Sequence, residues 1–262
     1  MFYFTDIHGN IELFHHVVNW CKEQKPNCTI VFGGDAADRG ENGYQIMKEM
    51  LSNPQIIYLF GNHEQLFIQS VYELIGLAAQ SDELWAAFHN IKTLEQVNAW
   101  LAECHGPYVN NYIWNGGFPT LRDWLFDGAN EDILWQLEHL PRTYSYKNID
   151  FCHAGGAYNA FLDPAHCERI ILWDRDLLQS EWADNRICVH GHTPVQIIQR
   201  NCCRPLTTYF SNNSLRIDMD CGTAFSNYIY VLNCDDMEIT GFLMTRNGIL
   251  ERDKYKIRGL QK

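Results

Sequence analysis

"TIVFGGDAADRG", residues 29–40, joins an apolar run to two aspartates and an arginine. "TIVF" has the length and β-branched content of a buried strand. Asp35, Asp38 and Arg39 stand after it within a span of five residues, with glycines at 33, 34 and 40. Charged groups at the end of a buried strand are costly unless something binds them. A metal ion and a phosphate are the most economical partners for this set. In open α/β sheets ligands bind beyond the carboxyl ends of the strands, so this stretch predicts such a sheet with a site at its strand ends.

The flanking sequence alternates as that reading requires. "FYFT" reads as a strand. "NIELFHHVVNWCKEQ" places apolar residues at helical spacing, with Asn10 as its N-cap. "NGYQIMKEML" reads as a second helix ended by "SNP", "QIIYLF" as a third strand, and "HEQLFIQSVYELIGLA" as a third helix. Strand and helix alternating over fewer than 80 residues predict βαβ units and a parallel sheet. Residues 77–145 are helical in pattern and rich in tryptophan (Trp85, Trp100, Trp114, Trp124, Trp135). No Gly/Ser/Pro linker flanks them, so they read as a helical cap inserted into a single domain spanning 1–262. From residue 149 short strands return: "IDFC", "RICVH", "SLRID", "NYIYVLN" and "MEITGFL", the last two joined by "CDD" as a hairpin.

Composition narrows the functional classes. Hydrophobic residues make up 46% of the 262, enough for a sizeable core. The formal charge of −12 offers no general basic surface for nucleic acid or an anionic membrane. The basic C-terminal "KYKIRGLQK" reads as a solvated tail. The start "MFYFTDIHGN" has neither a charged n-region nor a long apolar h-region, and no run approaches the roughly 20 apolar residues of a membrane span. A cytoplasmic setting is the expectation, and the ten cysteines, several inside apolar runs, are then expected as buried thiols.

The polar residues follow the strands with regularity. The first strand ends in Asp6-Ile7-His8-Gly9, the third in Gly61-Asn62-His63-Glu64. A later strand ends in His153, and another in His190-Gly191-His192-Thr193. With the second strand, five strand ends converge on one place. Carboxylate oxygens and imidazole nitrogens suit manganese, iron or zinc. No cysteine takes part, which argues against a closed structural zinc site. One carboxylate can bridge two ions and so build a centre suited to in-line phosphoryl displacement.

"DIHG", "GDAADRG", "GNHE", "HAGG" and "GHT" stand in the order of the motifs of the calcineurin-like metallophosphoesterases. The set most resembles the phosphoprotein phosphatase branch, and within it the small bacterial and phage serine/threonine phosphatases. "WNGG" (114–117), "LPRTY" (140–144), "LWDR" (172–175) and "IDMDCGTAF" (217–225) resemble the same group. Thr5 stands where the pattern has glycine, and Ala36-Ala37 replace bulkier residues. The resemblance implies an α/β fold, a β-sandwich flanked by helices. It implies one metal on Asp6, His8 and Asp35 and a second on Asp35, Asn62, His153 and His192, with Asp35 as the bridge. His192 is the ligand of its motif because it follows the small residue; His190 is not. Arg39 and Arg175 match arginines that grip phosphate, His63 the general acid, and Asp38 the carboxylate that orients it. Glu64 is expected to support the site from behind.

The activity so implied is hydrolysis of a phosphate monoester in a phosphorylated protein or peptide, by hydroxide formed on two divalent ions, with Mn²⁺ the leading candidate and Fe or Zn as options. Two rival readings are a dinucleoside polyphosphate hydrolase and a non-catalytic binding module on the same fold. "DRG" disfavours the first and the complete ligand set the second.

Overall fold

Strand β1 (Phe2–Phe4), helix α1 (Ile11–Gln24), β2 (Ile30–Phe32), α2 (Gly43–Ser52), β3 (Ile56–Tyr58) and α3 (Asn62–Ala78) follow the alternation read from the sequence. The computed structural model describes residues 1–175 and 178–260. Asn10 caps α1 by accepting from Leu13 N at 3.1 Å, and Leu13, Phe14, Val17, Val18 and Cys21 form its buried face. Five helices follow: α4 (Asp82–Phe88), α5 (Leu94–Glu103), α6 (Pro107–Trp114), α7 (Phe118–Phe126) and α8 (Asp132–Glu138). The remainder is β4 (Thr143–Tyr146), β5 (Ile149–Cys152), α9 (Tyr158–Leu162), α10 (Glu168–Trp173), β6 (Ile187–His190), α11 (Val195–Ile198), β7 (Leu206–Tyr209), β8 (Leu215–Asp218), α12 (Thr223–Ser226), β9 (Tyr228–Asn233), β10 (Glu238–Thr245) and β11 (Gly248–Lys256).

The strands form two sheets, ordered β11-β10-β9-β1-β2-β3 and β4-β5-β6-β8-β7. The first is parallel along one end (β1-β2-β3) and the second at its centre (β5-β6-β8), and both are antiparallel elsewhere, so the expected parallel sheet is in fact two mixed ones. The two sheets share one apolar layer: Tyr3 stacks on Phe151 at 5.1 Å, with Val31, Val189, Ile217 and Leu232 around them. Phe2, Phe4, Ile30 and Phe32 point the other way, into the helices. The period-2 alternation thus serves two cores, which is why these strands read as continuous apolar runs. The result is a β-sandwich flanked by helices.

Helices α4–α8 continue the helix-side core. Phe88, Val97, Trp100, Tyr112 and Trp124 belong to the same buried cluster as Leu13 and Met47. Trp114 and Trp135 do not: they are 89% and 63% exposed. Three strands escaped the sequence reading: β4, β7 and β11, each at a sheet edge. Edge strands are polar and half in water, a composition that discourages edge-to-edge association and also blurs alternation. One correction follows. Lys254, Tyr255 and Lys256, read as solvated tail, pair with Thr240, Ile239 and Glu238 in β11. Gln261 and Lys262 of the same stretch lie outside the described residues.

Seven of the ten cysteines are buried, and all ten are free thiols. No helix among the described residues is long and apolar enough to cross a membrane.

Candidate metal centre

The loops after β1 and β2 run side by side beyond the sheet. Asp6 N, His8 N and Gly9 N donate to the carbonyls of Gly34, Asp35 and Ala36 at 3.1, 3.1 and 2.8 Å. This ladder brings Asp6 and His8 beside Asp35. It also forces the backbone: Asp6, His8, Asp35, Asp38, Arg39 and His192 all have φ between 45° and 70°. Non-glycine residues held there cost roughly 1–3 kcal/mol each. Six such residues in one place, all of them singled out from the motifs, mark a site where geometry overrides local preference.

Asp35 is at the centre. Its Oδ1 lies 3.3 Å from His153 Nε2, and its Oδ2 lies 3.9 Å from both His8 Nε2 and His63 Nε2. Asn62 Oδ1 is 2.8 Å from His153 Nε2 and 2.8 Å from His192 Nδ1. Two sets of donor atoms therefore share Asp35: His8, Asp35 and His63, and Asp35, His153 and His192, each set lying within 4.8 Å. The second matches the expected second-metal set. The first brings His8 and Asp35 of the expected first-metal set together with His63. The Asp6 carboxylate accepts from Thr5 Oγ1 and, at 3.2 and 3.3 Å, from His192 N, so it ties the first motif to the last. His190 is in neither set; its Nδ1 lies 3.2 Å from Gly191 O. Gly61 and Gly191 are required here, because a Cβ on either would collide with the carboxylate of Asp35 or Asp6.

The donors fit divalent cations. His153 Nδ1 lies 2.9 Å from Gly33 O, an acceptor, so it carries a proton. In the neutral ring Nε2 is then a bare lone pair, facing the oxygens of Asn62 and Asp35. Three acceptors converging in a buried place need a positive charge between them. The ionisation behaviour says the same. Burial disfavours charge on His153, yet the Asp35 and Asp6 carboxylates outweigh it and push it up to about 10. Burial, then Asp220 and Asp35, push Asp6 well above the usual carboxylate range. Burial, Arg39 and His63 hold His8 well below the usual imidazole range, which keeps it a neutral donor.

Beside this centre, His63 Nδ1 is 2.6 Å from Asp38 Oδ2, both fully buried. Burial opposes charge on His63, but Asp35 and Asp38 prevail and raise it. Arg39 spans the pair of imidazoles, with Nη1 2.9 Å from His8 Nε2 and Nη2 3.0 Å from His63 Nε2. Arg175 Nη1 donates to Thr193 Oγ1 at 3.3 Å, next to His192, from a largely exposed position.

Glu64 supports the centre more fully than its motif suggested. Its carboxylate accepts from Asp35 N (2.9 Å), Ala36 N (2.8 Å), Gly61 N (2.8 Å) and Tyr58 OH (2.8 Å). Two supports were not legible in the motifs. Thr120 Oγ1 donates to Asp38 Oδ1 and accepts from Asp38 N, both at 3.2 Å, and Gly116 O accepts from Arg39 N at 2.9 Å. The inserted helices thus brace the Asp38–Arg39 turn. Only "WNGG" offered a signal for Gly116; nothing flagged Thr120, 82 residues away from its partner.

A β-sandwich carries two sets of His and Asp donors, sharing one aspartate at its strand ends, that could hold divalent metal. The profile of the calcineurin-like phosphoesterases matches residues 2–216. The chain belongs to that family, whose members hydrolyse phosphoesters and typically bind two divalent metals. No curated protein sequence matches the chain. Among solved structures, a proposed diadenosine tetraphosphatase is similar at 13% identity and a TM-score of 0.53, covering 96% of this chain and 91% of its own. A metallophosphoesterase from Sphaerobacter thermophilus is similar at 12% identity and a TM-score of 0.45, covering 97% and 90%. A cold-active protein-tyrosine phosphatase from a psychrophilic Shewanella sp. is similar at 14% identity and a TM-score of 0.45, covering 95% and 79%.

Proposed function

We propose that this protein hydrolyses phosphate monoesters with an alkoxide leaving group, as in phosphoserine and phosphothreonine peptides. The observation that carries the reading is the 2.6 Å contact between Asp38 and His63. Asp38 holds the imidazole by Nδ1 and so turns Nε2 toward Arg39 and the centre. A serine alkoxide is a poor leaving group and needs a proton as the ester bond breaks; a positioned acid typically supplies ~10²–10⁴-fold. The leaving nucleotide of a dinucleoside polyphosphate is a stabilised anion with far less need of a proton donor.

Asp6, His8 and Asp35 would hold one ion, and Asp35, Asn62, His153 and His192 the other. Oxygen and nitrogen donors with no thiolate favour Mn²⁺ over softer ions. When bound, two such ions lower the pKa of a water toward ~7 and neutralise phosphate charge. In this structure Arg39 donates to His63 Nε2; once Arg39 turns, with Arg175, to the phosphate oxygens, Nε2 is free to carry the proton that goes to the departing oxygen. Ten unpaired thiols suit a reducing compartment such as the cytoplasm.

The test is turnover of a phosphoserine peptide, para-nitrophenyl phosphate and diadenosine tetraphosphate, with chelator and then with Mn²⁺. The first two should be hydrolysed, lost on chelation and restored by Mn²⁺. Preferential cleavage of diadenosine tetraphosphate, or full turnover in metal-stripped protein, would refute the proposal.

A further inference from the structure

Trp173, the last residue of α10, is 37% exposed although its indole is held in place. Its Nε1 donates to Gln65 Oε1 at 2.8 Å, and Gln65 Nε2 donates to Glu168 Oε2 at 3.3 Å. Glu168 in turn pairs with Arg142, whose Nε lies 2.9 Å from Oε1. The ring centroid is 6.2 Å from that of His192, at 80°. Trp173 also borders an open cleft of 540 Å³, lined with Gln65, Glu168 and Arg169.

A chain of hydrogen bonds that fixes a large ring while leaving much of it in water makes poor sense as core packing. It makes sense as a preformed wall, since fixing the ring beforehand lowers the ordering cost of binding. Arg142 neutralises Glu168, so the cleft is no trap for a cation. What it offers is a flat aromatic surface with a guanidinium in its lining, which suits another ring. Consecutive Cα atoms are about 3.8 Å apart, so the side chain next to a phosphorylated residue at the metal centre can span the offset between His192 and Trp173.

We propose that this cleft is a substrate subsite that takes the residue adjacent to the phosphorylated one and selects a ring-bearing side chain there. The inference rests on the phosphopeptide reading above. Trp173 is then a specificity residue, set beside the centre and not part of it.

The experiment compares three phosphoserine peptides: phenylalanine just after the phosphoserine, phenylalanine just before it, and glycine on both sides. The unaltered protein should show kcat/KM about fivefold higher for one phenylalanine peptide than for the glycine peptide, the size expected of one aromatic contact. Trp173→Ala should bring that ratio close to one, and Trp173→Phe should keep most of it, with two metals per chain by elemental analysis in both. Trp173→Leu, which keeps apolar volume without the flat face, replaces Trp173→Ala should the latter not fold. A ratio unchanged in Trp173→Ala overturns the inference. So does a wild-type protein that cleaves all three peptides equally, and so does a Trp173 effect confined to diadenosine tetraphosphate, which would assign the cleft to a nucleobase. Failure of the wild-type protein to cleave any phosphopeptide would instead sink the function on which the inference stands.

Discussion

Glu64→Gln is nearly isosteric, yet it should weaken the fold and the metal centre together. The Glu64 carboxylate is fully buried and accepts four hydrogen bonds, from Asp35 N, Ala36 N, Gly61 N and Tyr58 OH. Oε2 serves Asp35 N and Gly61 N; Oε1 serves Ala36 N and Tyr58 OH. In glutamine one of these oxygens becomes an NH₂ group, a donor facing either two backbone amides or one amide and the Tyr58 hydroxyl. The less costly orientation puts the NH₂ beside Ala36 N and Tyr58 OH, whose hydroxyl can turn and accept, so one bond from a backbone amide to a charged acceptor is lost outright, at about 1.5–3 kcal/mol. The expected destabilisation is therefore about 1.5–3 kcal/mol, a sizeable share of the 5–15 kcal/mol typical of a whole protein. For a chain of this size that lowers Tm by roughly 3–10 °C. Because two of the four donors are the backbone amides of Asp35 and Ala36, the Asp35 carboxylate should also lose its register between His8 and His153. Urea and thermal unfolding in chelator isolate the fold, and Mn²⁺ titration by calorimetry reads the centre. A Glu64→Gln protein within 1 kcal/mol of wild type in chelator, with unchanged Mn²⁺ affinity, would refute the reasoning, since it would mean that the four bonds are not a unit.

Three further outcomes are expected. His63→Asn should slow hydrolysis of a phosphoserine peptide by ~10²–10⁴ and that of para-nitrophenyl phosphate far less, because nitrophenolate leaves without a proton; Asp38→Asn should show the same selectivity more weakly, and equal losses on both substrates with metals intact would remove His63 as proton donor. His192→Ala should lose one ion and nearly all turnover while His190→Ala keeps both ions, since only His192 approaches Asn62; elemental analysis showing the reverse would shift the motif by two residues. Thr120→Val removes the hydroxyl that bridges Asp38 N and Oδ1, so it should cost about 1–3 kcal/mol by denaturant unfolding and reduce the selectivity conferred by His63; unchanged stability and kinetics would show that the inserted helices do not brace the turn.

The site was legible in the chain because its chemistry is local in sequence. Asp6 and His8, Asp35 and Asp38, and Asn62 and His63 are each at most three residues apart in the segment that follows a strand, and strands of a parallel sheet end on the same side. Short apolar runs and Asn10 before an amphipathic segment determined the elements, and the ordered motifs determined which strand ends matter. Other features depended on contacts between distant residues, which no local pattern records. The placing of Asp6 beside Asp35 and His192 follows from the backbone ladder between two loops and from His192 N, 186 residues from Asp6. Edge strands β4, β7 and β11 owe their state to a neighbour on one side and to water on the other, so their own composition is ambiguous. Thr120 reaches Asp38, and Trp173 reaches Gln65, only because helices distant in the chain are packed against the sandwich. A hydroxyl or an indole carries no mark of its partner in sequence; burial and proximity create the interaction, and both arise only when the two cores close.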